Sequence, residues 1–354
     1  MSELSLHLLE WYSRQGRKPI WHKNPPDPYE VWVAVVMLQQ TRLNTVIPYF
    51  ERWLKKFPTI SKLAHAHERS VLSAWEGLGY YSRALNLHKA AKVIQKEYQG
   101  ELPGDLERLR KLPGIGRYSA GAIASIAFGV DAAAVDGNVK RVFARVFNLS
   151  EPVDTPAVEA SLWSLAQENL PPGRAGDYNQ ALMDLGATVC LPRHPTCLLC
   201  PLADLCQARI LGLQDQRPVP NPKPRVPHYT VTAAVFQRDG KVLLAKRPSR
   251  GLLGGMWEFP GGKTEANETL QNCLIREIKE ELGIKIKVGQ PFGVYRHAYS
   301  HFEITLHAFL CEIVKGEPKP LEAAELAWVP VSELSAYPMG KVDRLIARQL
   351  HVYG

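Results

Sequence analysis

Residues 109–142 read LRKLPGIGRYSAGAIASIAFGVDAAAVDGNVKRV, and the fold turns on how this stretch is read. A short helix ends near Lys111-Leu112, and Pro113-Gly114-Ile115-Gly116 follows as a turn. An apolar helix then runs from about Arg117 to Phe128, and another opens at Asp136-Gly137-Asn138. Gly114 and Gly116 let the backbone take positive φ and approach a ligand closely. The next helix offers free N–H groups and the positive end of its dipole, which suits a phosphate. Arg108, Arg110, Lys111 and Arg117 flank the turn. The pattern is that of a helix-hairpin-helix gripping a DNA backbone, against the plainer reading of a tight turn between packed helices. Asp136 has the place of a helix N-cap. It also follows the apolar run Ala132-Ala133-Ala134-Val135, which puts it at the edge of a buried pocket.

With the hairpin and Asp136 in place, the stretch resembles the endonuclease III superfamily. The whole chain resembles its adenine DNA glycosylase branch, the MutY family. The resemblance implies that Asp136 stabilises the cationic sugar formed when adenine leaves DNA, and that Tyr118 and Asn138 support it. Lyase relatives carry a lysine at the Tyr118 position, where it forms a Schiff base. A phenol cannot, so base removal without strand cleavage is expected. Leu38-Gln39-Gln40-Thr41 and Gly77-Leu78-Gly79-Tyr80-Tyr81 match the family segments that enter the DNA stack. Gln39, Gln40 and Tyr80 are carried over as DNA contacts, since an enzyme acting on a base must take it out of the duplex.

One departure bears on chemistry. The family protonates the adenine ring from a glutamate on the helix at 29–41. Here that position is Val35. Valine neither donates a proton nor orders a water, and Glu30, five positions back, lies on another helix face. General acid catalysis typically supplies about 10²–10⁴-fold. The segment Pro19-Ile20-Trp21-His22 also departs from the family pattern.

At 354 residues, with 45% hydrophobic and 22% charged residues, the chain has room for two globular domains. Its net charge of +8 suits a polyanion. No uninterrupted apolar run is long enough to span a bilayer. A soluble monomer is expected, cytoplasmic and held on the nucleoid through DNA.

Residues 1–211 read as almost entirely helical, with helices at 4–13, 29–41, 46–57, 70–77, 83–98, 157–169 and 179–189. Cys190, Cys197, Cys200 and Cys206 follow as C-x6-C-x2-C-x5-C. Four thiolates can hold Zn²⁺ or an iron–sulfur cluster. The resemblance implies a [4Fe–4S] cluster in this loop, 190–206. Cys273 and Cys311 read as buried apolar residues. Pro218, Pro220, Pro222, Pro224 and Pro227 make 212–228 a semi-rigid linker.

From residue 229 the period changes to that of strands. YTVTAAVFQ and KVLLAKR flank Asp239-Gly240 as a hairpin. A helix at 266–282, strands at 294–297 and 303–313, and short helices at 331–334 and 342–350 complete an α+β domain. Residues 262–284, GKTEANETLQNCLIREIKEELGI, fit G-x5-E-x7-R-E-U-x-E-E-x-G-U at every fixed position, U being apolar. This resembles the Nudix box of MutT-type pyrophosphohydrolases. Glu277, Glu280 and Glu281 share one helix face and could form a Mg²⁺ site. The family's second domain is itself Nudix-like and reads 8-oxoguanine. Tyr299-Ser300-His301 matches its reading turn, so Ser300 and His301 are expected on the oxidised base.

The fold expected is an all-α helix-hairpin-helix glycosylase domain with an iron–sulfur loop, followed by an α+β Nudix-like domain. The expected function is adenine excision opposite 8-oxoguanine or guanine in double-stranded DNA. Two alternatives stay open: a lesion-binding protein with impaired excision, suggested by Val35, and a Mg²⁺-dependent hydrolase of oxidised nucleotides, suggested by the complete box.

Overall fold

The computed structural model describes residues 1–21, 25–221, 226–249, 251–299 and 301–353. Ser300, His22 and part of the proline segment therefore lie outside the described residues. The chain forms two compact units, Met1–His65 with Asn86–Lys223, and Ala66–Leu85 with Pro224–Gly354.

In chain order the helices before the strands are α1 (Glu3–Gln15), α2 (Pro28–Leu38), α3 (Leu43–Lys56), α4 (Ile60–Ala64), α5 (Glu68–Trp75), α6 (Ser82–Glu97), α7 (Leu106–Arg110), α8 (Arg117–Phe128), α9 (Gly137–Val146), α10 (Pro156–Glu168), α11 (Ala175–Thr188) and α12 (Gln207–Ile210). The expected helices are present. α4 was missed because its five residues are too few to show a period. α2 has Asp27 as N-cap and Pro28 in its first turn, and it is buried from Val31 to Met37. Being apolar all round, it packs on α8 as a central helix. It ends at Leu38 rather than at Thr41, because Gln40 turns to φ +56°. A second core joins α1, α9, α10 and α11 around Leu8, Val139, Phe143, Leu162, Tyr178 and Leu185.

In the other unit, the sheet comprises β1 (His228–Arg238), β2 (Lys241–Lys246), β3 (Trp257–Glu258), β4 (Lys285–Ala298), β5 (Glu303–Lys315) and β6 (Glu325–Pro330). The order is β3-β2-β1-β5-β4, with β6 paired to β2. Among the strand pairs of the described residues, β1 and β5 run parallel and the others antiparallel. Both faces are covered, and the alternation along β1 divides them. Ala233 and Val235 join α14 (Lys341–Tyr353), and Ala234 and Phe236 join α13 (Leu270–Leu282). α13 starts four residues later than the sequence suggests. Thr269 caps it, and the preceding Glu268 carboxylate turns back to accept from the Glu265 N–H. β4 begins nine residues earlier than expected, with register shifts around Pro291 hiding its period. β3 and β6 were not anticipated.

Candidate active site and DNA interface

The segment leading to Asp136 is fixed from beneath by a buried amide. Asn179 on α11 donates to the Ala132 carbonyl (2.8 Å) and to Ser125 Oγ (2.9 Å), and accepts from the Ala134 N–H (3.1 Å). Backbone groups that cannot pair in a helix are thereby satisfied. Gly121 permits the close passage: a Cβ there would stand 2.0 Å from the Ala133 oxygen.

Asp136 is the N-cap of α9. Its Oδ1 accepts from the Val139 N–H at 2.8 Å, and its Oδ2 from Asn138 Nδ2 at 2.9 Å. Burial pushes its carboxyl up, opposed by the bonds from Val139 and Asn138 and by the Arg141 charge. Asn138 in turn accepts from Arg141 Nη2 (2.8 Å), and Arg141 also donates to the carbonyls of Gly186 (2.8 Å) and Cys190 (2.9 Å). A continuous polar chain thus runs from Asp136 to the first residue of the cysteine loop. Sequence reading missed Arg141 and Asn179. The available signal for Arg141 was its position one helical turn after Asn138.

Tyr118 donates toward the Met183 sulfur at 3.5 Å. Burial, with the Asp136 charge second, pushes its phenol far up, so it stays neutral. It can polarise or pack, but it holds no amine for a Schiff base. Gln39 Nε2 donates to Ser119 Oγ on α8 at 2.9 Å, while Gln40 is exposed. Val35 is 3% exposed in α2. The only carboxylate on that helix is Glu30, in its first turn.

The hairpin has the expected form. Gly114 has φ +78°, and a Cβ there would meet Asn86 Cβ at 2.6 Å. Gly116 is the extended N-cap of α8, so no N-cap side chain takes up the first N–H groups of this twelve-residue helix.

All four loop cysteines line one small cavity with Val142, Arg145 and Leu185. The buried Arg145 guanidinium donates to Cys190 Sγ at 3.2 Å and to the carbonyls of Leu191 (2.7 Å), Pro192 (3.2 Å), Gln214 (2.9 Å) and Arg217 (3.0 Å). No carboxylate is among these partners, so this cation suits an anionic centre built on thiolates. Among the described residues, no group of three or more His, Cys, Asp or Glu is drawn together as a single ion requires. A cluster would span its four thiolates more widely than one ion does. Arg145 also holds the start of the proline segment, through Gln214 and Arg217.

In the sheet unit the box residues are tied to one another. Arg276 binds Glu268 (2.9 Å), Glu277 (2.9 Å) and Glu280 (3.1 Å), and Glu281 accepts from the Gly261 N–H at 3.1 Å. Burial, then the Glu258 charge, pushes the Glu281 carboxyl up to about 8. All four carboxylates, including Glu277, Glu280 and Glu281, therefore meet internal donors, and nothing in this arrangement supports the expected Mg²⁺ site. The reading turn joins β4 to β5: the Tyr299 N–H donates to the Phe302 carbonyl at 2.8 Å, and His301 is exposed. Tyr80 stands 42% exposed on a turn in which Gly77, Gly79 and Tyr80 all have positive φ.

A helical unit with a capless hairpin, a capping aspartate and a four-cysteine loop defines the helix-hairpin-helix class of base-excision proteins. Residues 33–168 match the "HhH-GPD superfamily base excision DNA repair protein" model, and residues 231–349 match the NUDIX domain. Among solved structures, a thermostable thymine-DNA glycosylase is 28% identical with a TM-score of 0.54, covering 59% of this chain and 95% of its own. A non-covalent endonuclease III–DNA complex follows at 25% identity and TM-score 0.51, covering 60% of this chain and 95% of its own.

Curated relatives make the assignment narrower. The Rattus norvegicus adenine DNA glycosylase is 35% identical over 92% of this chain and 74% of its own length; that of Buchnera aphidicola (strain APS) is 33% identical over 86% and 85%. The Homo sapiens protein is 36% identical, and the match spans 65% of its length. The chain belongs to the adenine DNA glycosylase family.

Proposed function

We propose that the chain recognises adenine opposite 8-oxoguanine or guanine in double-stranded DNA and hydrolyses the adenine N-glycosidic bond. Residues of the α7–α8 hairpin would take a backbone phosphate on the Gly114–Gly116 turn. Gln39, Gln40 and Tyr80 would open the stack, and His301, with Ser300, would meet the oxidised base. Base and sugar part with both electrons of the bond leaving on adenine, and the resulting cationic sugar is then captured by water. The Asp136 carboxylate lowers the energy of that cation, and its bonds to Val139 and Asn138 hold it in place. The single observation that carries the reading is this oriented aspartate one helix beyond an uncapped hairpin.

The leaving base needs a proton, and α2 offers valine where a donor belongs. That observation favours a second reading, in which recognition is intact and hydrolysis slow. Cys190, Cys197, Cys200 and Cys206 would hold a [4Fe–4S] cluster that ties the loop together and, through Cys190 and Arg141, steadies Asn138. Single-turnover excision from an 8-oxoguanine:adenine duplex tests the function. A native rate well above background supports catalysis. Binding that selects the mispair over G:C without excision supports the second reading. Failure of both would overturn the assignment. Iron and sulfide content of the purified protein tests the cluster.

A further inference from the structure

The turn bearing Tyr80 begins at Glu76, the C-cap of α5. Three of its residues hold positive φ: Gly77 at +96°, Gly79 at +76° and Tyr80 at +49°. The left-handed region costs a tyrosine about 1 kcal/mol or more, so such a turn persists only when its surroundings impose it. Part of the restraint is local. Trp75 Nε1 donates to the Gly79 carbonyl at 2.9 Å, the Gly77 N–H donates to Tyr81 Oη at 3.1 Å, and Arg83 Nη2 donates to the Gly79 carbonyl at 3.2 Å.

The rest comes from the far end of the sequence. Arg344, on α14, grips Glu76 through two parallel bonds, Nε to Oε1 at 2.5 Å and Nη2 to Oε2 at 2.9 Å. The two side chains are only 14% and 23% exposed. The same guanidinium donates to the carbonyls of Leu334 (2.8 Å) and Tyr337, so the arginine is itself fixed. A second arginine works alongside: Arg69 of α5 donates to the Ala336 carbonyl at 2.8 Å and lies 3.7 Å over the Tyr337 ring. Tyr299 and Tyr337 pack against the same apolar core, to which α14 contributes Val342 and Ile346.

We propose that Arg344 and Glu76 are positioning residues for lesion recognition: their bidentate pair holds the Gly77–Tyr81 turn so that Tyr80 keeps a fixed place relative to the core on which Tyr299 packs. The inference rests on the proposed function. A two-bond pair shielded from water is strong and directional. Removing either partner takes both bonds of the pair from the turn. The turn then relaxes toward ordinary φ values, and Tyr80 loses its presentation.

The test uses the full chain and a duplex carrying 2-aminopurine, a fluorescent adenine analogue, opposite 8-oxoguanine. Fluorescence reports unstacking of the base. Arg344→Met and Glu76→Ala should each cut the enhancement about 5-fold or more, and weaken mispair binding about 10-fold, with G:C binding unchanged. The double variant should lose no more than either single one, the non-additivity expected of a shared interaction. Adding Tyr80→Ala to either should cause no further loss. Arg344→Lys, which keeps charge and one bond, should recover part of the signal and guards against misfolding as the cause. The inference is overturned if Arg344→Met and Glu76→Ala keep native enhancement while Tyr80→Ala loses it. It is equally overturned if the two losses simply add. A native chain that fails to separate 8-oxoguanine:adenine from G:C would sink the proposed function and this inference together.

Discussion

The helical unit and the sheet unit carry their acidic groups in opposite conditions. On the proposed reading the constellation around Asp136 would be incomplete, because Val35 stands where a proton donor is expected. Yet that carboxylate is held by the Asn138 amide and the Val139 N–H, with the Arg141 charge acting on it from a turn away. Along α13 the constellation is complete, yet Arg276 spans three of its glutamates and Gly261 takes a fourth. The difference teaches that possessing a motif and having its charges available are separate properties. A matching spacing sets the fold of a helix face, whereas the neighbours of that face decide whether a cation or substrate finds anything to bind.

The comparison breaks most visibly at Val35. Val35→Glu places a carboxyl in a site 3% exposed, where burial raises its pKa and keeps it protonated for donation. Single-turnover excision should rise about 10²–10⁴-fold; an unchanged rate would show that the missing donor is not what limits hydrolysis. Asp136→Asn keeps the cap but removes the charge. It should lower any excision about 10²–10³-fold while mispair affinity, read by gel shift, holds.

Glu281 sharpens the other side. Its folded pKa lies near 8, above the ordinary value of 4.5. A carboxyl shifted upward supports the fold below its unfolded pKa, and that support is lost as pH rises through about 8. Glu281→Gln should therefore stabilise the protein at pH 9, by roughly 2–4 kcal/mol after allowing for partial solvent access. Melting temperatures at pH 9 and pH 5 check this, because the gain should vanish at the lower value.

Much of this was legible in the chain. The hairpin turn, the cysteine spacing and the α13 helix are short-range patterns, and the structure keeps the hairpin and the helix where the sequence puts them. The buried pairings were not. Asn179 serves Ala132 and Ala134 from another helix, and Glu76 meets Arg344 across 268 positions. A lone polar residue in an amphipathic run carries no mark of its distant partner. The late start of α13 was set by the Thr269 cap and the Glu268 turn, chemistry that the apolar period does not record.

Two smaller effects complete the series. Gly114→Ala forces a side chain to φ +78° and against Asn86. It should cost about 1 kcal/mol of stability and about 10-fold in affinity for duplex DNA of any sequence, measured by salt-dependent anisotropy. Glu280 is 52% exposed, and its pair with Arg276 is the most solvated of the three. Glu280→Gln should shift stability by less than about 0.5 kcal/mol and leave mispair binding unaltered. A drop in hydrolysis of 8-oxo-dGTP in that variant would instead reveal nucleotide chemistry on α13.

The span of 268 residues between Glu76 and Arg344 has a consequence for synthesis. Ribosomes add roughly 5–20 residues per second, so α5 and its aromatic tip wait for tens of seconds before their C-terminal anchor is made. On the proposed reading, a nascent chain that already displays the hairpin would thus meet nucleic acid with an unset wedge, and α14 would be the latch that arms it.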